Sequence, residues 1–92
     1  MHNTYCYPNP ITENGGTIRV ETFGSTEVHV DIYDLAGYFI KSFKGKSIHS
    51  GIQIKEFQWV TLNVNQGVYF AHVSALSDNK TQTKIIKIAV VD

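Results

Sequence analysis

Apolar residues in this chain recur with a period of two, in short runs broken by clusters of Gly, Asn, Asp and Ser. In Glu27 to Tyr33, Val28, Val30 and Ile32 share one face while His29, Asp31 and Tyr33 share the other. That is the pattern of a strand with one buried and one wet face. Residues Thr17 to Thr22 repeat it, with Ile18 and Val20 opposite Arg19 and Glu21. No window of a dozen residues places apolar side chains at i, i+3, i+4 and i+7, so an amphipathic helix is excluded.

Seven short strands follow from this reading. Tyr5 to Tyr7 is a brief first one, and Asp34-Leu35-Ala36-Gly37 reads as a hairpin turn. Asp suits the first position of a type I turn, and Gly37 can take the left-handed conformation after it. The return strand, Tyr38 to Lys44, carries Phe39, Ile40 and Phe43 at a spacing that breaks strict alternation and requires a bulge or a two-sided burial. Gly45 to Gly51 reads as a polar loop. Extended character resumes over Ile52 to Trp59, with Val60, Leu62 and Val64 continuing the alternation to a bend at Asn65-Gln66-Gly67. Val68 to Ala75 and Thr81 to Val91 are strands separated by a turn at Ser77-Asp78-Asn79-Lys80, and Ile86, Ile88 and Val90 share a face of the last one. Evenly spaced strands in this number predict an all-β, immunoglobulin-like antiparallel β-sandwich, a single domain over residues 1–92. Its expected core is Val28, Val30, Ile32, Trp59, Tyr69, Ala71 and Val73, with His29, Asp31 and His72 exposed.

Composition removes several classes of function. Eight Lys and Arg balance eight Asp and Glu, and a nucleic-acid binder needs a basic surplus to neutralise phosphates. The longest apolar run, Ile88-Ala89-Val90-Val91, is far short of the roughly 20 residues of a membrane-spanning helix. Met1-His2-Asn3-Thr4-Tyr5 has neither the basic nor the apolar region of a signal peptide. A lone cysteine, Cys6, cannot form an intrachain disulfide, and between Tyr5 and Tyr7 it reads as a buried structural thiol.

The residues that could do chemistry are scattered. His2, His29, His49 and His72 lack metal-site spacing, and Asp31 with Asp34 is a thin ligand set for calcium. No nucleophile elbow is present, and Cys6 has no positioned partner. The expectation is a chain with no catalysis, cofactor or metal. Tyr33 and Phe70, whose neighbours in the alternation face inward, are the aromatic residues expected to point outward and could stack on a sugar ring.

Four landmarks in order resemble the type A C-terminal sorting domain of type IX secretion cargo. Tyr7-Pro8-Asn9-Pro10 is similar to its Y-P-N-P opening. Tyr33, Asp34 and Gly37 fall in a stretch like its I-Y-D-x-x-G hairpin. Gly67-Val68-Tyr69-Phe70 resembles its G-x-Y-F stretch, and Lys84-Ile85-Ile86-Lys87 its closing strand. Together they cover about residues 7 to 88. One departure is the tail Ala89-Val90-Val91-Asp92, which runs past the usual Lys-rich end.

The resemblance implies an address rather than an activity. Such a domain is expected at the C-terminus of a larger exported protein, behind an N-terminal cargo domain. It would pass through the periplasm, be read by an outer-membrane translocon and a sorting protease, and leave the cargo on the cell surface or outside the cell. Pro8 and Pro10 stiffen the opening and remove donors, and Gly37, Gly67 and Tyr69 serve the fold. Recognition would then fall on Lys84, Ile85, Ile86 and Lys87, through charge or strand addition. The rival reading is a non-catalytic immunoglobulin-like spacer or glycan-binding accessory module, related to the domain of hook-capping proteins.

Overall fold

The computed structural model describes residues 3–12, 14–24, 26–47, 51–77 and 80–91. Among these residues the chain forms seven strands and no helix. They are β1 (Tyr5–Tyr7), β2 (Gly16–Phe23), β3 (Thr26–Asp34), β4 (Phe39–Ser47), β5 (Ile52–Trp59), β6 (Gly67–Ser77) and β7 (Lys80–Val90). One sheet has the order β1-β2-β5 and the other β4-β3-β6-β7, with every neighbour antiparallel. This is the expected sandwich.

The period-two pattern places the core between the sheets. Val28, Val30 and Ile32 of β3 are fully buried, as are Ile18 and Val20 of β2. Ala71 and Val73 of β6 and Ile88 of β7 join them from the larger sheet, with Trp59 closing the layer from β5. The Trp59 indole meets the Tyr69 ring edge-on at 5.4 Å. Tyr69 Oη donates to Asn65 O at 2.6 Å, so a buried ring keeps its polar tip satisfied. A hydroxyl reaching back a few residues just upstream of the strand resembles the tyrosine corner of immunoglobulin-type sandwiches. Burial raises the Tyr69 pKa, and the nearby Asp34 charge adds to it.

The hairpin between β3 and β4 forms as its sequence dictates. Gly37 N–H donates to Asp34 O, and Gly37 has φ +91. Asp34 Oδ1 accepts from the backbone N–H of Ala36 at 3.0 Å and of Tyr38 at 2.9 Å. Ile32 pairs with Lys41 but Tyr33 with Phe39, which leaves Ile40 as the extra residue of a bulge. The bulge lets both Phe39 and Phe43 find places, Phe39 beside Tyr33 and Phe43 against Phe57.

Three expectations need correction. β4 continues to Ser47, so Gly45 to Ser47 are strand rather than loop; Gly45 pairs with Val28 and takes the Phe57 ring where a side chain would stand. β5 stops at Trp59, and the chain turns at Thr61 to Val64 through Val64 N–H to Thr61 O. Val60 and Leu62 are therefore exposed and Thr61 is buried, its hydroxyl donating to Thr12 O. His29 and Asp31 are half-buried, because β3 is flanked on both sides by β4 and β6. His72 is exposed as expected. Asp78 and Asn79 of the expected last turn lie outside the described residues.

The chain's opening segment fastens β7. Asn9 Nδ2 donates to Lys87 O at 2.9 Å, and Ala89 N–H donates to Asn9 Oδ1 at 3.1 Å. Ile11 N–H then donates to Ala89 O, and Val91 N–H to Ile11 O, with Ile11 itself fully buried. Pro8 and Pro10 have no N–H to offer, so the side-chain amide of Asn9 serves as the missing peptide group of a neighbouring strand. The Ile11 side chain passes over Gly16, where a Cβ would stand 2.7 Å from Ile11 Cδ1, and at Gly15, with φ +80, a Cβ would meet Trp59 O at 2.5 Å. Only glycine fits that corner.

Asn9→Ala is expected to lose both side-chain bonds to β7 and about 1 kcal/mol of stability, a Tm lower by about 5 °C in calorimetry. An unchanged Tm would show that the fastening contributes nothing. Burial pushes the Cys6 thiol up from 9.0 to about 11. At pH 8 it should alkylate about a hundredfold more slowly than a free cysteine peptide, because the thiolate is the reacting form. Equal rates in a timed iodoacetamide reaction would contradict its burial.

Candidate functional site

The recognition residues expected from the sequence all lie on β7, and β7 is an edge of the four-stranded sheet. The strand does not present all four alike. Lys84, Ile85 and Lys87 are exposed, with Ile85 at 60%. Ile86 is 8% exposed and packs in the core beside Ala71, its partner on β6. Its side chain is structural and cannot be read from outside. The two-residue repeat that buries Ile88 and Val90 buries Ile86 with them.

The other landmark residues hold this edge or the turns behind it. Tyr7 Oη donates to Glu56 Oε2 at 2.6 Å across the smaller sheet, and that hydrogen bond raises the Tyr7 pKa. Asn9 and Ile11 pin the C-terminal end of β7. Asp34 and Gly37 form the hairpin, and Gly67 begins β6 with φ +156. Asn9 was legible only as part of a motif. The available signal was an Asn between two prolines, a place where the backbone cannot donate and a side chain must.

No group of three or more His, Cys, Asp and Glu stands together among the described residues. His29 lies 3.3 Å from Glu27, which Lys44 also approaches at 3.5 Å. His2 and His49 lie outside the described residues. Asp34 spends its Oδ1 on the turn, and Cys6 is buried.

Tyr33 and Phe70 are half-buried cross-strand partners rather than exposed rings. Tyr33 meets Phe39 at 6.0 Å and His72 at 4.9 Å, both edge-on. Tyr33, Phe70 and His72 line, with Asp34, Leu35 and Gly37, a hollow with a volume of about 340 Å³. A second hollow of about 410 Å³ opens between the sheets beside Phe23 and Ile52, its charged residues being Glu21 and Lys80. Neither gathers a nucleophile with a base.

The residues expected from the sequence thus lie on the β7 edge, basic and partly pinned, which is the candidate site; β4, the other edge of that sheet, also carries lysines, Lys41, Lys44 and Lys46. Comparisons with known proteins bear on the fold and the family. No curated protein matches the sequence. In structure the chain is similar to dimeric latent PorU from Porphyromonas gingivalis, with a TM-score of 0.77 at 24% identity. That match covers 96% of this chain but 9% of that one. The C-terminal domain of wzt is also similar, with a TM-score of 0.54 at 15% identity, over 89% of this chain and 63% of that one. These likenesses show the fold alone. Residues 5–88 match the family described as the secretion system C-terminal sorting domain, from the first residue of β1 to the fully buried Ile88 of β7. The chain belongs to the type IX secretion C-terminal sorting domain family, whose members direct a protein to the cell surface.

Proposed function

We propose that this domain is the passive C-terminal address of a larger exported cargo, and that the outer-membrane translocon reads it at the exposed side of β7. The observation that carries the reading is the position of β7: an edge strand whose Lys84, Ile85 and Lys87 face solvent while Ile86, Ile88 and Val90 anchor it in the core. A signal of this kind has to stay folded and offer a fixed surface, and an anchored edge strand does both. The domain itself does no chemistry in this reading. Catalytic activity, where the full-length protein has any, belongs to the cargo on its N-terminal side, and the sorting protease acts on the folded domain after translocation from the periplasm.

The tail Ala89 to Val91, which departs from the family's usual end, supports this arrangement. Ala89 and Val91 exchange backbone hydrogen bonds with Ile11, so the tail secures the strand rather than covering it. The rival reading as a glycan-binding module gains little, because Tyr33 and Phe70 are half-buried rather than outward-pointing rings.

A periplasmic reporter fused ahead of this domain, in a host with the secretion system, should reach the cell surface. Deleting Thr83 to Asp92 should abolish delivery, but it also removes three core residues. The informative variant is therefore Lys84→Glu with Lys87→Glu, both exposed. It should keep its Tm within a few degrees, as surface charge changes usually do, and cut surface signal at least tenfold. A reporter that stays periplasmic with the intact domain sinks the sorting reading.

A further inference from the structure

Only part of the outer rim of β7 is occupied. Lys87 O, both groups of Ala89 and the N–H of Val91 point away from β6, as their bonds to Asn9 and Ile11 show. By the two-residue repeat of a strand, the N–H and C=O of Thr81, Thr83 and Ile85 and the N–H of Lys87 point the same way. None of these groups has a hydrogen-bond partner among the described residues. The row from Thr81 to Lys87 spans roughly 20 Å at about 3.4 Å per residue. At the opposite edge of the sheet, β4 accepts one side-chain hydrogen bond from the other sheet, Lys55 Nζ of β5 donating to Lys46 O.

The strand is also charged in one sense. β7 carries Lys84 and Lys87 within this stretch, Lys80 just before it, and no acidic residue. Lysine on an edge strand opposes pairing with an identical edge. An antiparallel copy in register with Lys84 opposite Lys84 places like charges across the ladder, which is unfavourable, whereas an acidic strand places opposite ones there.

Building on the sorting reading, we infer that the rim of β7 from Thr81 to Lys87 accepts one extended, acidic strand of the receptor, which adds to the sheet as a fifth strand. Asn9 sets the far end of the site. Its side chain already occupies the pairing position at Lys87 O and Ala89 N–H, so the incoming strand stops there. Backbone pairing supplies affinity, and the lysines select the partner's charge. The fastening of β7 by the opening segment and the reading of β7 by the receptor are thus two halves of one edge.

Hydrogen exchange by NMR on the 92-residue chain, titrated with a seven-residue peptide of alternating Glu and Val, tests this. At saturating peptide, the amides of Thr81, Thr83, Ile85 and Lys87 should exchange at least tenfold more slowly. Those of Lys84 and Ile86, already bonded to β6, should not change. The same peptide N-methylated at alternate residues should give no protection. Thr83→Pro removes an outward donor without breaking a bond to β6. It should bind the peptide at least tenfold more weakly with a Tm within a few degrees. If Thr83→Pro fails to fold, Lys80→Glu with Lys84→Glu serves instead, and its preference should switch to a Lys/Val peptide. Absent protection in the wild type, equal binding of the N-methylated peptide, undiminished binding by folded Thr83→Pro, or no switch overturns the inference. A wild-type domain that binds the peptide but leaves its reporter in the periplasm refutes the sorting reading and leaves the strand site standing.

Discussion

The bond pattern between Asn9, Ile11 and the end of β7 is the constraint on which the molecule's shape turns. β1 and β7 lie at the same side of the sandwich but belong to different sheets. The segment between β1 and β2 crosses from one to the other, and Ile11 exchanges two backbone hydrogen bonds with β7 while its side chain enters the core. Residues near the start of the chain thereby fix its last strand. The Ile86, Ile88 and Val90 side chains then pack against a settled backbone, and the outer side of the same strand is presented in one orientation. A buried face and a readable edge come from a single closure.

The division of labour along β7 follows from sheet geometry. Alternate side chains point inward, and alternate backbone groups point along the sheet toward a neighbour. One strand therefore offers three separate sets of groups: core side chains, surface side chains and an unpaired backbone row. An address domain needs no cavity or nucleophile when a partner can read such a row. Neither hollow of this sandwich gathers a nucleophile with a base, and burial raises the pKa of its one thiol, Cys6. Edges exposed in this way invite self-association, and the lysines of β7 limit it.

Where local chemistry decided the outcome, the sequence was legible. Asp34 and Gly37 specify their turn because a carboxylate can accept two nearby N–H groups and glycine can take positive φ. The crowding of Phe39, Ile40 and Phe43 required a bulge or a two-sided burial, and a bulge at Ile40 is what forms. Readings failed where alternation was extended past the point at which pairing ends. Val60 and Leu62 alternate faultlessly and are nevertheless exposed, because β5 has no partner beyond Trp59, whose pairing with Gly16 ends that ladder. Ile86 was read with its neighbours as a contact residue, yet its parity with Ile88 assigns it to the core.

By itself the sequence determined most of the strand content, the inward faces of β2, β3, β6 and β7, the hairpin and the family, since these depend on period, turn chemistry and ordered motifs within the chain. Which strand lies at an edge, and which part of that edge stays open, depends on contacts between residues as far apart as Asn9 and Ala89. Those contacts exist only after the sheets have packed. The tertiary structure alone therefore decided that the asparagine of the opening motif serves as a surrogate peptide group, and that the open stretch of β7 ends at Lys87.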